Sequence, residues 1–465
     1  MEPPGRDVTT PRGPRRPAYL RHALLDLGYV GAAVLGLPIA LARLAVDAKA
    51  RARAGPFVRD LPARMARRTP REGEAPCVLV QAVSVGEVKA VARLLARLAE
   101  ELPGADIVLG VTTVTGRRVA AELYPTLRVE RAPTDLSWSI HRYLAALRPD
   151  LVLLVESGLW PGFLLAARRR GVPVVLVNGR MSERSARRFG RTRWFARRLF
   201  GSLDRVFAQL AVYAERLEHL GVDPDRIVVT GNLKLDNVTP AADRERVGAL
   251  ARLFGLQDTE VPVLVAGSTH PGEERELVRV VRQLAAGGRR MHLVLVPRHP
   301  ERRDSVAVDV RREGGAPVLR SGLLAPRGAP APDDVFVLDT VGELEHAYGL
   351  AAFAFVGGTL VPHGGQNLIE PASLGLPVVV GPHLFQFRSE VALLRASEGV
   401  RVVDDAAGLE AVLRAWHDDR AAARALGARA RDAVCSSQGA SERTIEGLRP
   451  HLARLSPSRV SARAE

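Results

Sequence analysis

From Cys77 onward, short runs of Val and Leu alternate with helical patterns at regular intervals, and this alternation constrains the fold more than any other feature. A run that is apolar at every position suits a strand buried on both faces, and strands joined through helices pair in parallel. The first series is CVLVQAV, ADIVLGVTT, DLVLLVES, PVVLVNGR, RVFAQ and RIVVTGN. After Asp236 comes NVTPAADRERVGALARLFG, a linker running into a new helix, and then VPVLVAGST, MHLVLVPRH, DVFVLDT, AAFAFVGGT and LPVVVGP. At 465 residues the chain is too long for one ordinary domain of ~100–200 residues. The expected architecture is α/β, with two Rossmann-like doubly wound domains facing across a cleft: residues 61–238 form the first and 239–440 the second. Residues 1–60 are expected to be a tail and membrane-anchor helix, and 441–465 a C-terminal helix and tail. Ligands of such sheets bind beyond the carboxyl ends of the strands, so the chemistry is to be sought there.

The 66 basic residues outnumber the 51 acidic ones, a formal +15, and Lys49, Lys89 and Lys234 are the only lysines. This excess attracts nucleic acid, an anionic membrane or a phosphorylated substrate. With no zinc-finger spacing, no aromatic RNA-binding strand and no continuous basic arm, nucleic acid is not the expected partner. Cys77 and Cys435 stand alone, which argues for a reducing compartment and against a metal or disulfide framework. The sixteen residues Leu27 to Ala42 carry no charge and are bounded by Asp26 and Arg43. They fall short of the ~20 needed to cross a bilayer, so a signal anchor or an interfacial helix is expected, with a buried core helix as the alternative.

Five stretches can carry chemistry. In QAVSVGEVKA a buried strand ends at Ser84 and Glu87 enters the next helix, where it can take a proton from a bound hydroxyl or simply favour the helix dipole. In GVTTVTGRR, Thr112, Thr113 and Thr115 can cap a helix or hold a phosphate. VESGLWPGFL places Glu156 and Trp160 at a strand end, facing a sugar or packing in the core. The segment 177–200 holds eight arginines from Arg180 to Arg198 with Trp194, Phe195 and Phe200 interleaved, suiting a membrane surface or a solvated helical face. The most informative stretch is VGGTLVPHGGQNLIEP. Gly357, Gly358, Gly364 and Gly365 permit close backbone approach, a helix N-terminus offers amides to phosphate, Asn367 caps the turn and Glu370 can bind a ribose diol. Arg298, at the end of another strand, suits a phosphate, and His270 and His299 can add hydrogen bonds.

In order, SVGEV, TTVTG, ESGLWP, VNGRMSERS, GNLKLD, AGSTHPGEE, VPRHPER, DTVGEL and VGGTLVPHGGQNLIEP resemble the motif series of the 3-deoxy-D-manno-octulosonic acid (Kdo) transferases. The resemblance spans roughly residues 20 to 390. It implies the GT-B architecture and an inverting, metal-independent, cofactor-free transfer of Kdo from CMP-Kdo to a lipid A precursor. It places the enzyme on the anionic cytoplasmic face of the bacterial inner membrane, held by the N-terminal anchor. Glu87 would be the general base, and CMP would contact Pro297, Arg298, Val341, Gly342, Glu343, Asn367, Leu368, Ile369 and Glu370. Four positions depart from the pattern: Gly158 replaces an acidic residue, Gly162 an Asn, Gln366 a His and Gly179 another small residue. Gly158 and Gly162 lie on the acceptor side. They keep open a transferase with another donor or lipid acceptor, and a catalytically silent lipid-binding paralogue is the remaining alternative.

Overall fold

In the computed structural model of the protein, the described residues are Leu27, Gly55, 59–65, 69–156, 160–238, 242–257 and 259–455. The expected anchor segment, apart from Leu27, lies outside them, as does Gly158. Among the described residues no helix is long and apolar enough to cross a membrane.

The chain divides into two units, Met1–Asn237 with Gly439–Glu465, and Val238–Gln438. The first is built on β1 (Cys77–Ala82), β2 (Asp106–Val111), β3 (Arg128–Arg131), β4 (Leu151–Val155), β5 (Val174–Gly179), β6 (Arg205–Ala208) and β7 (Ile227–Val229), in the order β3-β2-β1-β4-β5-β6-β7. Every neighbouring pair is parallel. The strand periodicity of two sorts the runs onto two cores. Cys77 and Leu79 of β1 pack with Tyr143, Leu144, Leu164 and Phe200 on one face, while Val78, Val80 and Ala82 meet Leu94, Leu98 and Leu109 on the other. Cys77 is fully buried, which pushes its thiol up to about 11 and leaves it unreactive.

The second core of this unit is completed from the far end of the sequence. Ala440, Ile445, Leu448 and Leu452, on the helix Ala440–Leu452, pack into the cluster that holds Val78 and Leu94. Phe207 of β6 lies so close to this helix that a Cβ at Gly447 would come 2.3 Å from its ring, so only glycine fits there.

The second unit is built on β8 (Val263–Thr269), β9 (His292–Pro297), β10 (Ala316–Leu319), β11 (Asp334–Val337), β12 (Phe353–Val356), β13 (Val378–Val380) and β14 (Val400–Val402), in the order β10-β11-β9-β8-β12-β13-β14. It too is parallel throughout. Its core joins Leu264, Ala266, Leu293, Leu295 and Phe355 to the helices over the sheet, among them Leu277, Val281, Leu413 and Leu426. In each sheet the chain leaves in opposite directions from two adjacent central strands, β1 and β4 in the first and β8 and β12 in the second. That is where doubly wound sheets open a crevice for ligand.

Candidate active site

In the first unit β1 gives way at Ser84 to the helix Val85–Ala90, and the Ser84 hydroxyl caps it by accepting from the Glu87 N–H at 3.4 Å. Glu87 therefore falls in the first turn, over the crevice. Its carboxylate folds back so that Oε2 accepts the Val83 N–H at 2.6 Å, and only 8% of the residue is exposed. Burial pushes its carboxyl up to about 7; the charge of Glu156 adds to the rise, while the Val83 amide and Lys234 oppose it. A carboxyl that titrates near neutrality is matched to general-base work.

Two neighbours come from the next strand ends. Glu156 directly follows β4, and Lys234 places its Nζ 2.7 Å from Glu156 Oε1. Asn178, in β5, is fully buried; its Nδ2 donates to the same oxygen at 3.5 Å and its Oδ1 accepts the Leu233 N–H at 3.0 Å. Glu156 and Asn178 hold φ of 57° and 53°, and Ser268, at the end of β8, holds 56°. A left-handed backbone at a non-glycine residue costs of order 1–3 kcal/mol and persists where the surroundings impose it. Three such residues at strand ends mark these ends as shaped for more than packing. Trp160, by contrast, packs against the first core.

The third motif also shows a local departure. Gly162 and Phe163 donate their N–H groups to the Asp135 carboxylate at 3.0 and 2.9 Å, so Asp135 caps the helix Pro161–Arg169. A Cβ at Gly162 would lie 2.9 Å from Asp135 Oδ1. Any larger residue at 162 requires Asp135 to move.

In the second unit the glycine-rich loop is organised by Glu273, a residue of the AGSTHPGEE motif that the sequence did not single out. Glu273 is 0% exposed, and its Oε1 accepts the N–H groups of Thr359 and Leu360 at 2.9 and 3.0 Å. Its Oε2 accepts those of Gly358 and His270 at 2.7 and 2.9 Å. The amides of 358–360 are thus occupied by a carboxylate. The glycine at 357 answers a packing demand as well, since a Cβ there would sit 2.4 Å from the Ser268 carbonyl oxygen.

Basic and imidazole side chains gather around this loop. Arg298 and His299 are exposed just past β9, and His270 stacks on His363 with ring centroids 4.0 Å apart. Burial, aided by His363, His299, Arg302 and Arg298, depresses His270 to about 4, so it is a neutral hydrogen-bonding group at neutral pH. Gln366 Nε2 lies 3.1 Å from His270 Nε2; with the amide nitrogen donating, the ring proton belongs on Nδ1. Asn367 Oδ1 accepts the Ile369 N–H at 3.1 Å in the turn that leads into the helix Ile369–Ser373, whose cap position is Leu368, while its Nδ2 donates to Glu370 Oε1 at 2.9 Å. Leu368 and Ile369 are buried, and so is Pro297. Val341 and Gly342 are exposed, and Glu343 is held by Arg320 at 3.1 Å and by the Thr340 hydroxyl.

Residues 59–237 match a family model described as 3-Deoxy-D-manno-octulosonic-acid transferase (kdotransferase). The 3-deoxy-D-manno-octulosonic acid transferase of Haemophilus influenzae is 33% identical over 398 residues, covering 84% of this chain and 92% of that protein. The enzyme of that name from Bordetella pertussis is 35% identical over 418 residues, covering 87% and 94%. Among solved structures, UDP-GlcNAc 2-epimerase from Neisseria meningitidis bound to UDP-GlcNAc has a TM-score of 0.55 over 80% of this chain and 99% of that one. At 13% identity, that likeness is one of fold alone. With two doubly wound parallel-sheet units and relatives that are sugar transferases over most of its length, the chain is a glycosyltransferase. This chain belongs to the Kdo transferase family.

Proposed function

We propose that this enzyme transfers Kdo from CMP-Kdo to a lipid A precursor in lipopolysaccharide biosynthesis, with inversion at the anomeric carbon and without a metal ion. The observation that carries the reading is Glu87, a buried carboxyl raised to about 7 at the switch point of the first sheet. In this mechanism Glu87 removes the proton from the acceptor hydroxyl as its oxygen bonds to the anomeric carbon. The bond from that carbon to the phosphate oxygen breaks, and the electron pair leaves on CMP. The negative charge that gathers on the departing phosphate is met by Arg298, with His299 and His363 beside it. Glu370 and Glu343 would take the ribose and base side of CMP. Glu156 is engaged by Lys234 at 2.7 Å rather than turned to the acceptor.

The proposed site of action is the cytoplasmic face of the inner membrane. Support comes from the basic stretch at 183–200, where the helix Glu183–Gly190 buries no residue and Trp194 is 74% exposed amid arginines. Phe200, in contrast, is part of the core. A second reading keeps the donor but changes the acceptor, and the packing of Asp135 against Gly162 favours it, because an Asn at 162 would require Asp135 to move and so reshape this strand end. Release of CMP from CMP-Kdo, measured with and without lipid A precursor for wild type and Glu87→Gln, decides between the two. Precursor-dependent release that the substitution abolishes supports the first reading. CMP binding without precursor-dependent release supports the second.

A further inference from the structure

Lys234 lies on a helix of a single turn, Leu233–Asp236, which is too short to hold its own position. At its start, the Asn232 side chain accepts the Lys234 N–H at 3.1 Å and Asn178 accepts the Leu233 N–H. Its other end is fixed by chain remote in sequence. Asp236, 8% exposed, turns its carboxylate to the helix Ala440–Leu452: Oδ1 accepts the N–H groups of Gly439 at 2.7 Å and Ala440 at 3.2 Å, and Oδ2 accepts that of Ser441 at 2.5 Å. That helix has no cap of its own, because Gly439 stands at the cap position with φ of 89°. Asp236 is therefore its cap, supplied from 203 residues away, with a charge that the helix dipole favours. The following residue, Asn237, donates to the carbonyl oxygens of Lys89 and Ala90 at 3.1 and 2.9 Å, and these close the helix that carries Glu87. One short segment thus joins the helix of Glu87, the ion pair of Glu156 and the C-terminal helix.

We propose that Asp236 is a positioning residue for the transfer reaction: by capping the helix Ala440–Leu452 it fixes the turn Leu233–Asp236 and holds Lys234 on Glu156 beside Glu87. The inference rests on Glu87 being the base. The charged groups facing Glu87 are Glu156 and Lys234, with Lys89 exposed on its own helix. Displacing Lys234 therefore removes a cation that lowers the Glu87 carboxyl.

The test is a double-mutant cycle on the full chain. Asp236→Asn keeps the shape but turns an amide nitrogen toward N–H donors. Its turnover with CMP-Kdo and lipid A precursor should fall roughly 10- to 100-fold, as it does when catalytic groups shift by about 1 Å. The rising limb of its pH–rate profile should move above that of the wild type, with CMP affinity unchanged. In a Lys234→Met background, the same substitution should cause no further loss and no shift of the limb. Wild-type turnover and limb in Asp236→Asn, or losses that multiply across the cycle, overturn the proposal. Circular dichroism and thermal unfolding verify the fold of each variant; if Asp236→Asn does not fold, Asp236→Ser, which retains one acceptor, carries the same cycle. A folded wild type without precursor-dependent CMP release removes the functional reading itself and the proposal with it, an outcome separable from failure of the cycle alone.

Discussion

Glu87 shows how one side chain can set function against stability. Its folded carboxyl titrates near 7 and an ordinary one at 4.5, so between those values the folded protein keeps a proton that the unfolded chain has released. Stability therefore falls as pH rises through that window, by about 3 kcal/mol in full. Glu87→Gln, which cannot ionise, should melt several degrees above wild type at pH 8 and match it near pH 4.5, while losing turnover at both. Wild-type kcat/KM should rise with pH through about 7, following the ionised base. Glu273 works the other way. Glu273→Gln replaces an oxygen that accepts two buried amides with a nitrogen that cannot, and should destabilise the second unit by about 3 kcal/mol, read in a urea titration. Of these residues, Glu87, Asn367 and Glu370 stood out in the sequence because each follows a buried strand within one motif. Glu273 and Lys234 did not, because their partners lie 86 and 78 positions away in sequence, at Thr359 and Glu156.

At the scale of elements, eleven runs were legible: ten form the inner strands, where a strand buried on both faces is apolar at every position, and the eleventh is β7, an edge strand whose IVV run is apolar all the same. β3, β10 and β14 escaped notice, and each lies at an edge of its sheet. Arg128–Arg131 reads RVER and is only half buried; Val400–Val402 carries the exposed Arg401; and Ala316–Leu319 is likewise half buried. Edge strands are short and charged because an apolar edge invites pairing with other chains, and the apolar signal is lost with it. The glycine-rich loop was read as a ligand cradle, yet Gly357 must be glycine chiefly because β8 and β12 bring their backbones together there. Gly357→Ala should push Ser268 and Thr269 aside and destabilise the second unit by roughly 1–3 kcal/mol. CMP binding, followed by calorimetry, should weaken with it, since the displaced loop leads into Asn367 and Glu370.

For the whole molecule, the discontinuity of the first unit matters most. Removing the chain from Gly439 onward strips Ile445, Leu448 and Leu452 from a core they share with β1 and leaves Asp236 without the amides it binds. Losing each such side chain from a core costs ~2–5 kcal/mol, and together they match the ~5–15 kcal/mol that holds a domain folded. The truncated protein should lose the cooperative unfolding transition of its first unit in calorimetry while keeping that of the second. The alternation of apolar runs contains no hint of this return, because the helix Ala440–Leu452 has an ordinary amphipathic pattern that does not say which sheet it covers.

This return of the chain has a consequence during translation. Domains emerging from the ribosome fold as units, usually the N-terminal one first. Here the first unit waits, its second core uncovered, while the Val238–Gln438 unit is synthesised and can already fold, until the helix Ala440–Leu452 arrives 204 residues after Asp236 to complete it. A nascent or prematurely ended polypeptide can thus have a finished second unit but an incomplete first one, and the power to transfer sugar appears only near the completion of synthesis.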